Sequence, residues 1–350
     1  MIPVLVAGGA GYVGSHTCLR LAEAGYRPIV YDNLSNGHAD FARWGPLEIG
    51  DIRDRRRLDE ILARYRPQAV LHFAALIEVG ESVKFPEKFH DNNVVGSCTL
   101  LEAANAAGIG HVVFSSTCAT YGDPLRLPLD EEHPQHPINP YGETKLVVER
   151  TLRDFDAAFG LRSVSLRYFN AAGADFESRI GEAHDPETHA IPLAIAAARG
   201  ERAGFSIFGS DYDTRDGTAL RDYVHVLDLA DAHVRALRYL RGGGPTAAFN
   251  LGSGVGTTVK ELLDMVRAVS GRPFPVAVAP RRDGDAPALV ADAGKARRIL
   301  DWRAEHDLGA IVDSAWRWHA RHDPASADPE RPAAFTAAAR SAVEAPMAGP

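Results

Sequence analysis

Residues 4–14 read VLVAGGAGYVG, and this stretch decides the fold because it joins a short apolar strand to a helix through a glycine-rich turn. Gly8, Gly11 and Gly14 have the spacing G-x-x-G-x-x-G. Such glycines permit a tight turn, let a backbone approach a pyrophosphate and let a helix pack close to a sheet. The helix N-terminus adds free N–H groups and the positive end of its dipole. The turn indicates a dinucleotide site, but many glycine turns bind nothing, so the surrounding sequence has to support it.

The pattern that begins at this turn continues through the first half of the chain, where short apolar runs alternate with helical periodicity. We predict strands at 4–6, 29–31, 69–73, 111–115 and 163–167, and helices at 12–24, 55–65, 87–107 and 141–159. Strands that alternate with helices form βαβ units and a parallel sheet covered on both faces. The sequence therefore predicts an α/β fold: a doubly wound parallel Rossmann sheet with a smaller mixed α/β C-terminal substrate lobe.

The pattern becomes irregular after about residue 170, and this change suggests how the chain is divided. Residues 1–170 are predicted to form the dinucleotide-binding domain, and the apolar, partly helical stretch 222–252 is predicted to return to it. Residues 171–221 and 253–320 are predicted to form the substrate lobe. Alanine, proline, serine and charged residues predominate near the end, so residues 323–350 are expected to be a disordered tail.

The composition argues against several classes of protein. Of the 350 residues, 45% are hydrophobic and 24% are charged, as in ordinary globular enzymes. The net charge of -8 leaves no basic footprint, so neither nucleic acid nor a membrane surface is expected as a partner. Cys18, Cys98 and Cys118 have neither zinc-ligand nor disulfide spacing, and no metal ion is expected. The N-terminus has no basic region and no long apolar run, which predicts a cytoplasmic protein.

Residues after the next predicted strands specify the dinucleotide. Asp32 lies 18 residues after Gly14, where a carboxylate accepts both ribose hydroxyls of an adenosine and repels a 2′-phosphate. This favours NAD over NADP. Asp51, in Gly50-Asp51-Ile52, is placed to hold the adenine amino group, although a simple turn role is nearly as plausible. The small residues of Phe73-Ala74-Ala75 would leave room for the cofactor.

A candidate catalytic group follows in Tyr141-Gly142-Glu143-Thr144-Lys145. Tyr141 and Lys145 are spaced i,i+4 and therefore share one face of a helix. A free tyrosine has a pKa near ~10, and a neighbouring ammonium together with a positive nicotinamide ring is expected to lower that pKa. Thr117 ends a predicted strand at the carboxyl edge, where ligands bind in open α/β sheets. Taken singly, Y-x-x-x-K can be a surface pair and a strand-end threonine can be a cap.

Together these elements resemble the extended short-chain dehydrogenase/reductase superfamily. Five further segments, spread over both halves of the chain, narrow the resemblance to the UDP-galactose (UDP-glucose) 4-epimerases over roughly residues 3–318. These segments are DNNV (91–94), YFNAAG (168–173), DGT (216–218), RDYVHV (221–226) and RRDGD (281–285).

The resemblance implies a reversible oxidation at carbon 4 of a UDP-sugar, which would interconvert UDP-galactose and UDP-glucose. Tyr141 would take the proton of the 4-hydroxyl while NAD takes the hydride; the 4-keto sugar would turn over, and the hydride would return to its opposite face. Lys145 and Thr117 would complete the catalytic set. The implied NAD contacts are Gly8, Gly11, Tyr12, Val13, Gly14, Asp32, Asn33, Asp51, Ile52, Phe73, Ala74, Ala75, Asn92, Ser115, Tyr141, Lys145 and Tyr168.

The resemblance also implies the substrate contacts. These are Thr117, Tyr141, Asn170, His189, Ala190, Ser206, Phe208, Arg221, Arg282, Asp285 and Leu289. Arginines suit a pyrophosphate, a phenyl ring suits the uracil face, and a carboxylate suits a ribose diol. A single arginine is otherwise more often a solvated surface charge.

Three positions depart from the family's pattern. Ile77 stands where the family often has a lysine, so one cationic contact is in doubt. His189 matches an asparagine that faces the pyrophosphate, and its titration could make binding sensitive to pH. Leu289 matches a wall residue of the sugar pocket, which is a bulky tyrosine in members that exclude N-acetyl groups and small in members that admit them. Its intermediate size predicts some turnover of N-acetylated UDP-hexosamines.

Other functions remain open on the sequence alone. One alternative is another UDP-sugar 4-epimerase, acting on UDP-pentoses or UDP-hexuronates. Another is a non-catalytic NAD-binding regulator, although such a protein has no reason to keep Tyr141 and Lys145 together with the UDP segments. The resemblance further implies a homodimer, formed through a helix pair such as 87–107 and 141–159.

Overall fold

A seven-stranded parallel sheet forms the centre of the structure, which is a computed structural model describing residues 1–282 and 286–321. The strands are β1 Ile2–Ala7, β2 Tyr26–Asp32, β3 Leu47–Ile49, β4 Val70–His72, β5 His111–Thr117, β6 Arg162–Tyr168, β7 Asn170–Ala172, β8 Phe205–Phe208, β9 Leu220–Arg221, β10 Tyr223–His225, β11 Ala247–Leu251, β12 Thr257–Thr258 and β13 Val276–Ala279. The central sheet has the order β11-β6-β5-β4-β1-β2-β3. This confirms the prediction of a doubly wound parallel sheet.

The direction of winding reverses at β1. This strand pairs with β2 on one side, where Val6 lies opposite Val30, and with β4 on the other, where Val6 lies opposite Leu71. From β1 the chain first builds outward to β3, then crosses back to β4 and builds outward in the other direction. A crevice opens beyond the carboxyl ends of the strands at such a reversal, and ligands of open α/β sheets bind there.

The alternation of side chains along β1 explains why both faces of the sheet are covered. Val4 and Val6 belong to the core beneath one set of helices, and Leu5 and Ala7 belong to the core on the opposite face. The helices are α1 Tyr12–Glu23, α2 Arg55–Tyr65, α3 Val79–Lys84, α4 Pro86–Phe89, α5 Gly96–Ala106, α6 Pro140–Phe159, α7 Ala190–Arg199, α8 Val226–Arg241, α9 Val259–Ser270, α10 Gly294–Leu300 and α11 Leu308–Arg321.

The α1 and α8 helices pack together on the first face, while α2, α5 and α6 cover the second. No helix within the described ranges has both the length and the apolar character that crossing a membrane requires.

The prediction of one regular helix over 87–107 was wrong in its interior. Residues 90–95 form a wider, π-type turn between α4 and α5. The wide turn directs the buried Asn93 toward the loop after β4, where its amide exchanges two hydrogen bonds with the backbone of Leu76 and donates a third to Thr144. Such turns are frequent at functional sites, and hydrophobic periodicity does not record the polar contacts that stabilise this one.

A second, smaller core lies among α7, α9 and α11 and the strand pair β8 and β13. Two further short strand pairs, β7 with β10 and β9 with β12, link this region to the central sheet. After β10 the chain returns through α8 to β11, which pairs with β6 at the edge of the large sheet. The predicted tail, 323–350, lies outside the described residues.

Candidate active site

A cleft of about 390 Å³ opens beyond the carboxyl ends of the strands where the winding of the sheet reverses. Gly8 follows β1 in this cleft, Phe73 follows β4, and Ser115 and Thr117 lie at the end of β5. Parallel strands all end at one edge of the sheet, so residues far apart in sequence meet here.

The glycine turn makes one wall of the cleft. Gly8 has a φ of +79°, and a Cβ at this position would lie 2.5 Å from the backbone nitrogen of Ala74. A Cβ on Gly14 would lie 2.1 Å from the carbonyl oxygen of Gly8. The turn therefore brings β1, α1 and the segment after β4 closer together than side chains would allow. The first N–H groups of α1 have no carbonyl partner within their own helix, and an anionic pyrophosphate fits this backbone cradle.

Asp32 makes the second wall, at the end of β2. Its two carboxylate oxygens each accept a backbone N–H at 2.9 Å, from Ala10 and Leu34, so the side chain is fixed. Burial raises the pKa of Asp32, and these two hydrogen bonds oppose the rise. The lone pairs that remain can accept ribose hydroxyls, whereas a 2′-phosphate would meet a carboxylate. The residues present therefore fit NAD.

Asp51 was predicted to contact the cofactor, but it does not line the cleft. Its carboxylate accepts two side-chain hydrogen bonds from Arg53 and one from Asn33. The Arg53 guanidinium is the main reason that the pKa of Asp51 falls to about 2. Its neighbours Gly50 and Ile52 do line the cleft.

Tyr141, Thr117 and Lys145 meet on the side of the cleft formed by β5 and α6. Asn139 caps α6 by accepting the N–H of Gly142, and Pro140 occupies the first turn. This places Tyr141 at the helix entrance, where the nearby Thr117 hydroxyl favours the phenolate. The Lys145 ammonium lies one turn further on, 5.9 Å from the centroid of the Tyr141 ring, and donates to the carbonyl of Ser115 at 2.9 Å.

The protonation of this group differs from the sequence-based prediction. Burial raises the pKa of Tyr141 well above its ordinary value, and the neighbouring Tyr168 adds to the rise, while Thr117 opposes it. Burial also lowers the pKa of Lys145 to about 7, although Glu149 acts in the opposite direction. The expected lowering of the phenol's pKa counted on the nicotinamide ring as well as the ammonium; in the protein without that ring, desolvation dominates and the pKa of Tyr141 is raised.

A buried polar network holds this side of the cleft from behind. Glu149, one turn after Lys145 on α6, pairs with Arg167 of β6 at 2.6 Å, and both side chains are almost completely buried. Glu149 also accepts a hydrogen bond from Ser116. Arg167 donates in turn to the phenol oxygen of Tyr121 at 2.9 Å. The network fixes β5, β6 and α6 relative to one another, so the positions of Thr117 and Lys145 are set by a rigid scaffold.

The structure brings most of the predicted site residues to this one cleft. The members in its lining are Gly8, Gly11, Tyr12, Val13, Gly14, Asp32, Asn33, Ile52, Phe73, Ala74, Ala75, Asn92, Ser115, Thr117, Tyr141, Lys145, Tyr168, Asn170, His189, Arg221 and Leu289. Ile77, at the position where the family often has lysine, also lines it.

Five predicted residues are not part of the lining: Asp51, Ala190, Ser206, Phe208 and Arg282. Of these, Phe208 and Arg282 contact each other, with the guanidinium carbon 3.9 Å from the centroid of the ring. Ser206 lies two residues before Phe208 on β8 and therefore on the same face of that strand. Asp285 lies outside the described residues.

Glu182 and His184 also line the cleft, and the sequence analysis did not identify them. They belong with His189 to one loop before α7. Burial disfavours the charged form of His189, but the Glu182 and Glu187 carboxylates more than compensate and raise its pKa. The spacing E-x-H-x-x-E-x-H over residues 182–189 could have indicated from the sequence that these side chains lie together.

Known proteins provide an independent comparison. The NAD dependent epimerase/dehydratase family matches residues 4–252. A UDP-glucose 4-epimerase of Rhizobium meliloti (strain 1021) is 66% identical over 320 residues, which cover 91% of this chain and 98% of that protein.

Two solved structures are similar over nearly their whole length. The UDP-glucose 4-epimerase from Brucella ovis in complex with NAD has a TM-score of 0.89 and 50% identity, covering 91% of this chain and 98% of that one. The UDP-Glc/GlcNAc 4-epimerase from Campylobacter jejuni has a TM-score of 0.80 and 40% identity, covering 92% and 100%.

Proposed function

The chain belongs to the NAD dependent epimerase/dehydratase family, and from that premise we propose that it interconverts UDP-galactose and UDP-glucose, the activity of a UDP-glucose 4-epimerase. NAD is the cofactor. The observation that carries the proposal is the convergence of Tyr141, Thr117 and Lys145 on the cleft that also contains the glycine turn and Asp32. A carbon–oxygen oxidation needs this combination of a hydride carrier and a proton acceptor at one place.

The reaction divides between the cofactor and the side chains. When bound, NAD supplies a hydride acceptor at sugar carbon 4 and later the hydride donor. Tyr141 is the side chain that takes the proton of the 4-hydroxyl and gives a proton back to the 4-keto sugar after that sugar has turned over. Thr117, which lines the cleft together with Tyr141, is proposed to orient the reacting hydroxyl.

Charge beside the phenol decides whether Tyr141 can accept a proton. Burial alone keeps the phenol protonated. A positive charge nearby favours the phenolate, and Lys145 is the side chain on this wall that can supply it. The hydrogen bond to the Ser115 carbonyl holds Lys145 in place, and the buried Glu149 favours its charged form.

The UDP portion is proposed to lie along the remaining wall. Asn170, His189 and Arg221 line the cleft there, and Arg221 suits the pyrophosphate. The pair of Phe208 and Arg282 is proposed to contact the uracil and phosphate groups beyond the cleft, with Ser206, Ala190 and Asp285 as further contacts. Asp51 is proposed to reach the adenine.

A product assay tests the function. The purified protein is incubated separately with UDP-galactose, UDP-glucose, their N-acetylated forms, UDP-xylose and UDP-glucuronate, and the products are separated by chromatography. We expect UDP-galactose and UDP-glucose to interconvert fastest. Faster conversion of the pentose or the hexuronate would favour a different UDP-sugar 4-epimerase, and a protein that contains no nicotinamide and converts nothing would favour a regulator.

Leu289 is proposed to set the tolerance for N-acetyl groups. It lies half-buried against Cys118, Leu129 and Phe169 at the sugar side of the cleft. A side chain of this size leaves more room than a tyrosine, and the similar Campylobacter jejuni enzyme is described as acting on UDP-Glc and UDP-GlcNAc.

Enlarging Leu289 should therefore change specificity more than overall activity. We expect Leu289→Tyr to lower kcat/KM for UDP-N-acetylglucosamine about tenfold relative to UDP-glucose, because a bulkier wall removes the space for the acetamido group. Leu289→Ala is the matched control and should leave that ratio unchanged or higher. Equal ratios in all three proteins would assign the discrimination to other residues.

A homodimer formed through the α5 and α6 region is also proposed. Phe85, Val95 and Phe159 are each at least half exposed along this side of the protein. Apolar side chains exposed on adjacent segments are typical of a surface that another chain covers. Sedimentation of the purified protein should give twice the mass of one chain, and a monomer at micromolar concentration would contradict the proposal.

The division of the chain and its location are proposed on similar grounds. Residues 1–170 with 222–252 are proposed as the NAD-binding domain, and 171–221 with 253–320 as the sugar-nucleotide lobe; β11 and the second core support this division. A cytoplasmic location is consistent with three free cysteines.

A further inference from the structure

The loop before α7 brings together four side chains of the kinds that ligate metal ions. Glu182, His184, Glu187 and His189 each offer one ligand atom, and these four atoms all lie within 4.8 Å of one another. The His189 Nδ1 atom is 2.8 Å from a carboxylate oxygen of Glu182 and 2.9 Å from one of Glu187. The His184 Nδ1 atom is 3.4 Å from the same oxygen of Glu182.

The hydrogen bonding within this loop is incomplete. Glu182 is only 4% exposed, yet its Oε1 atom has no hydrogen bond of acceptable geometry, and neither has the buried Nδ1 atom of His184. The Nδ1 atom of His189 can carry only one proton, and its hydrogen bond goes to Glu187. Glu182 therefore receives no hydrogen bond from His189. A buried carboxylate oxygen without a donor is costly. A cation among these four groups would bond the Glu182 oxygen and the His184 nitrogen, which no hydrogen bond satisfies, and would replace the proton that His189 shares with Glu187.

We propose that Glu182, His184, Glu187 and His189 bind one divalent transition-metal ion, with Zn²⁺ as the first choice. Two imidazole nitrogens and two carboxylate oxygens suit Zn²⁺, whereas Mg²⁺ and Ca²⁺ prefer oxygen ligands alone. Tetrahedral Zn²⁺ with ligands at 2.0–2.1 Å needs donor atoms about 3.3–3.4 Å apart. Three of the six donor–donor distances in this loop are 2.8, 2.9 and 3.4 Å, and all six lie within 4.8 Å, so side chains would have to shift to bring the wider pairs closer.

Because this loop lines the cleft, a bound ion would affect ligand binding. Glu182, His184 and His189 line the cleft, at the wall proposed to face the UDP portion. The Glu182 carboxylate at that wall would repel an anionic diphosphate, and a divalent ion would offset its charge. This consequence rests on the proposed function, whereas the metal site itself does not.

Metal binding to the full-length protein, purified with its cofactor, tests the proposal. The protein is treated with EDTA, exchanged into metal-free buffer and titrated with ZnCl₂ by calorimetry, and bound zinc is counted by mass spectrometry after dialysis. We expect one Zn²⁺ per chain, and a thermal unfolding midpoint that rises with Zn²⁺. Glu182→Gln, which keeps the shape of the side chain, should weaken Zn²⁺ binding at least about tenfold.

A second variant and a control complete the test. His184→Ala removes a ligand whose side chain is less deeply buried than that of Glu182, 15% against 5% exposed, so it provides a second test if Glu182→Gln does not fold, and it should weaken binding to a similar degree. The control is the double variant Glu132→Gln/His136→Ala, which removes a glutamate and a histidine from an exposed loop and should bind Zn²⁺ as the unchanged protein does. No stoichiometric Zn²⁺ uptake by the unchanged protein, or equal affinity in all the variants, would overturn the proposal. The UDP-sugar product assay reports separately on the proposed function.

Discussion

Tyr141→Phe is expected to lower kcat for UDP-galactose by about 10²–10⁴-fold, which is the usual contribution of a positioned acid–base group. The substitution removes the phenol oxygen and keeps the ring. The glycine turn and Asp32, which are proposed to hold the cofactor, are unchanged. The purified variant should therefore contain as much NAD as the unchanged protein, measured by chromatography after denaturation, while its turnover collapses.

Tyr168→Phe is the matched control for this prediction. Tyr168 is a second buried phenol in the same cleft, but it hydrogen-bonds Ser115 and is not the proposed proton acceptor. We expect Tyr168→Phe to stay within about tenfold of the unchanged protein, because it leaves the proton acceptor intact. A Tyr141→Phe variant that is as active as this control would assign the base to another group.

Gly8→Ala should reduce NAD binding by at least about 30-fold. A non-glycine residue at a φ of +79° costs about 1–2 kcal/mol. The new Cβ would also lie 2.5 Å from the Ala74 nitrogen and 2.8 Å from the Phe73 carbonyl carbon, and relieving such an overlap typically costs about 1–3 kcal/mol. The backbone must shift at the place where the pyrophosphate is proposed to bind. The strain lowers stability, whereas the displaced cradle lowers NAD affinity; a binding loss of about 2 kcal/mol, within the range for relieving the overlap, corresponds to the stated factor.

Gly25→Ala separates backbone strain from crowding at the cofactor site. Gly25 follows α1 with a φ of +81°, nearly that of Gly8, but an added Cβ there meets nothing within 4 Å. This control should lose a similar amount of stability through strain and keep its NAD. The measurements are the NAD content of each purified protein and the thermal midpoint. If both variants retained NAD equally, the close approach at Gly8 would not matter for the cofactor.

The sequence predicted the fold well where local patterns and tertiary structure agree. The strand and glycine turn of residues 4–14, and the helix that follows, depend on neighbouring residues and were recognisable for that reason. The wide turn at 90–95 was not, because Asn93 is held by Leu76 and Thr144, which are distant in sequence. The short strand pairs beyond residue 170 depend equally on long-range contacts.

The candidate site could be located from the sequence, but its electrostatics could not. The i,i+4 spacing placed Tyr141 and Lys145 on one face of a helix, as α6 has them. Sequence spacing carries no information about how deeply the two groups are buried, and burial determines the direction of both pKa shifts. The four ligating residues of 182–189 are visible in the sequence, but their convergence depends on the path of the loop.

The fate of the hydrogen on carbon 4 tests the central claim most directly. UDP-galactose carrying deuterium at carbon 4 is converted to UDP-glucose in ordinary water, and the product is examined by NMR and mass spectrometry. A hydride that leaves and returns within one closed cleft predicts that deuterium stays at carbon 4 of UDP-glucose in full. Loss of deuterium to the solvent during conversion would mean that carbon 4 exchanges a proton instead, and would contradict the account.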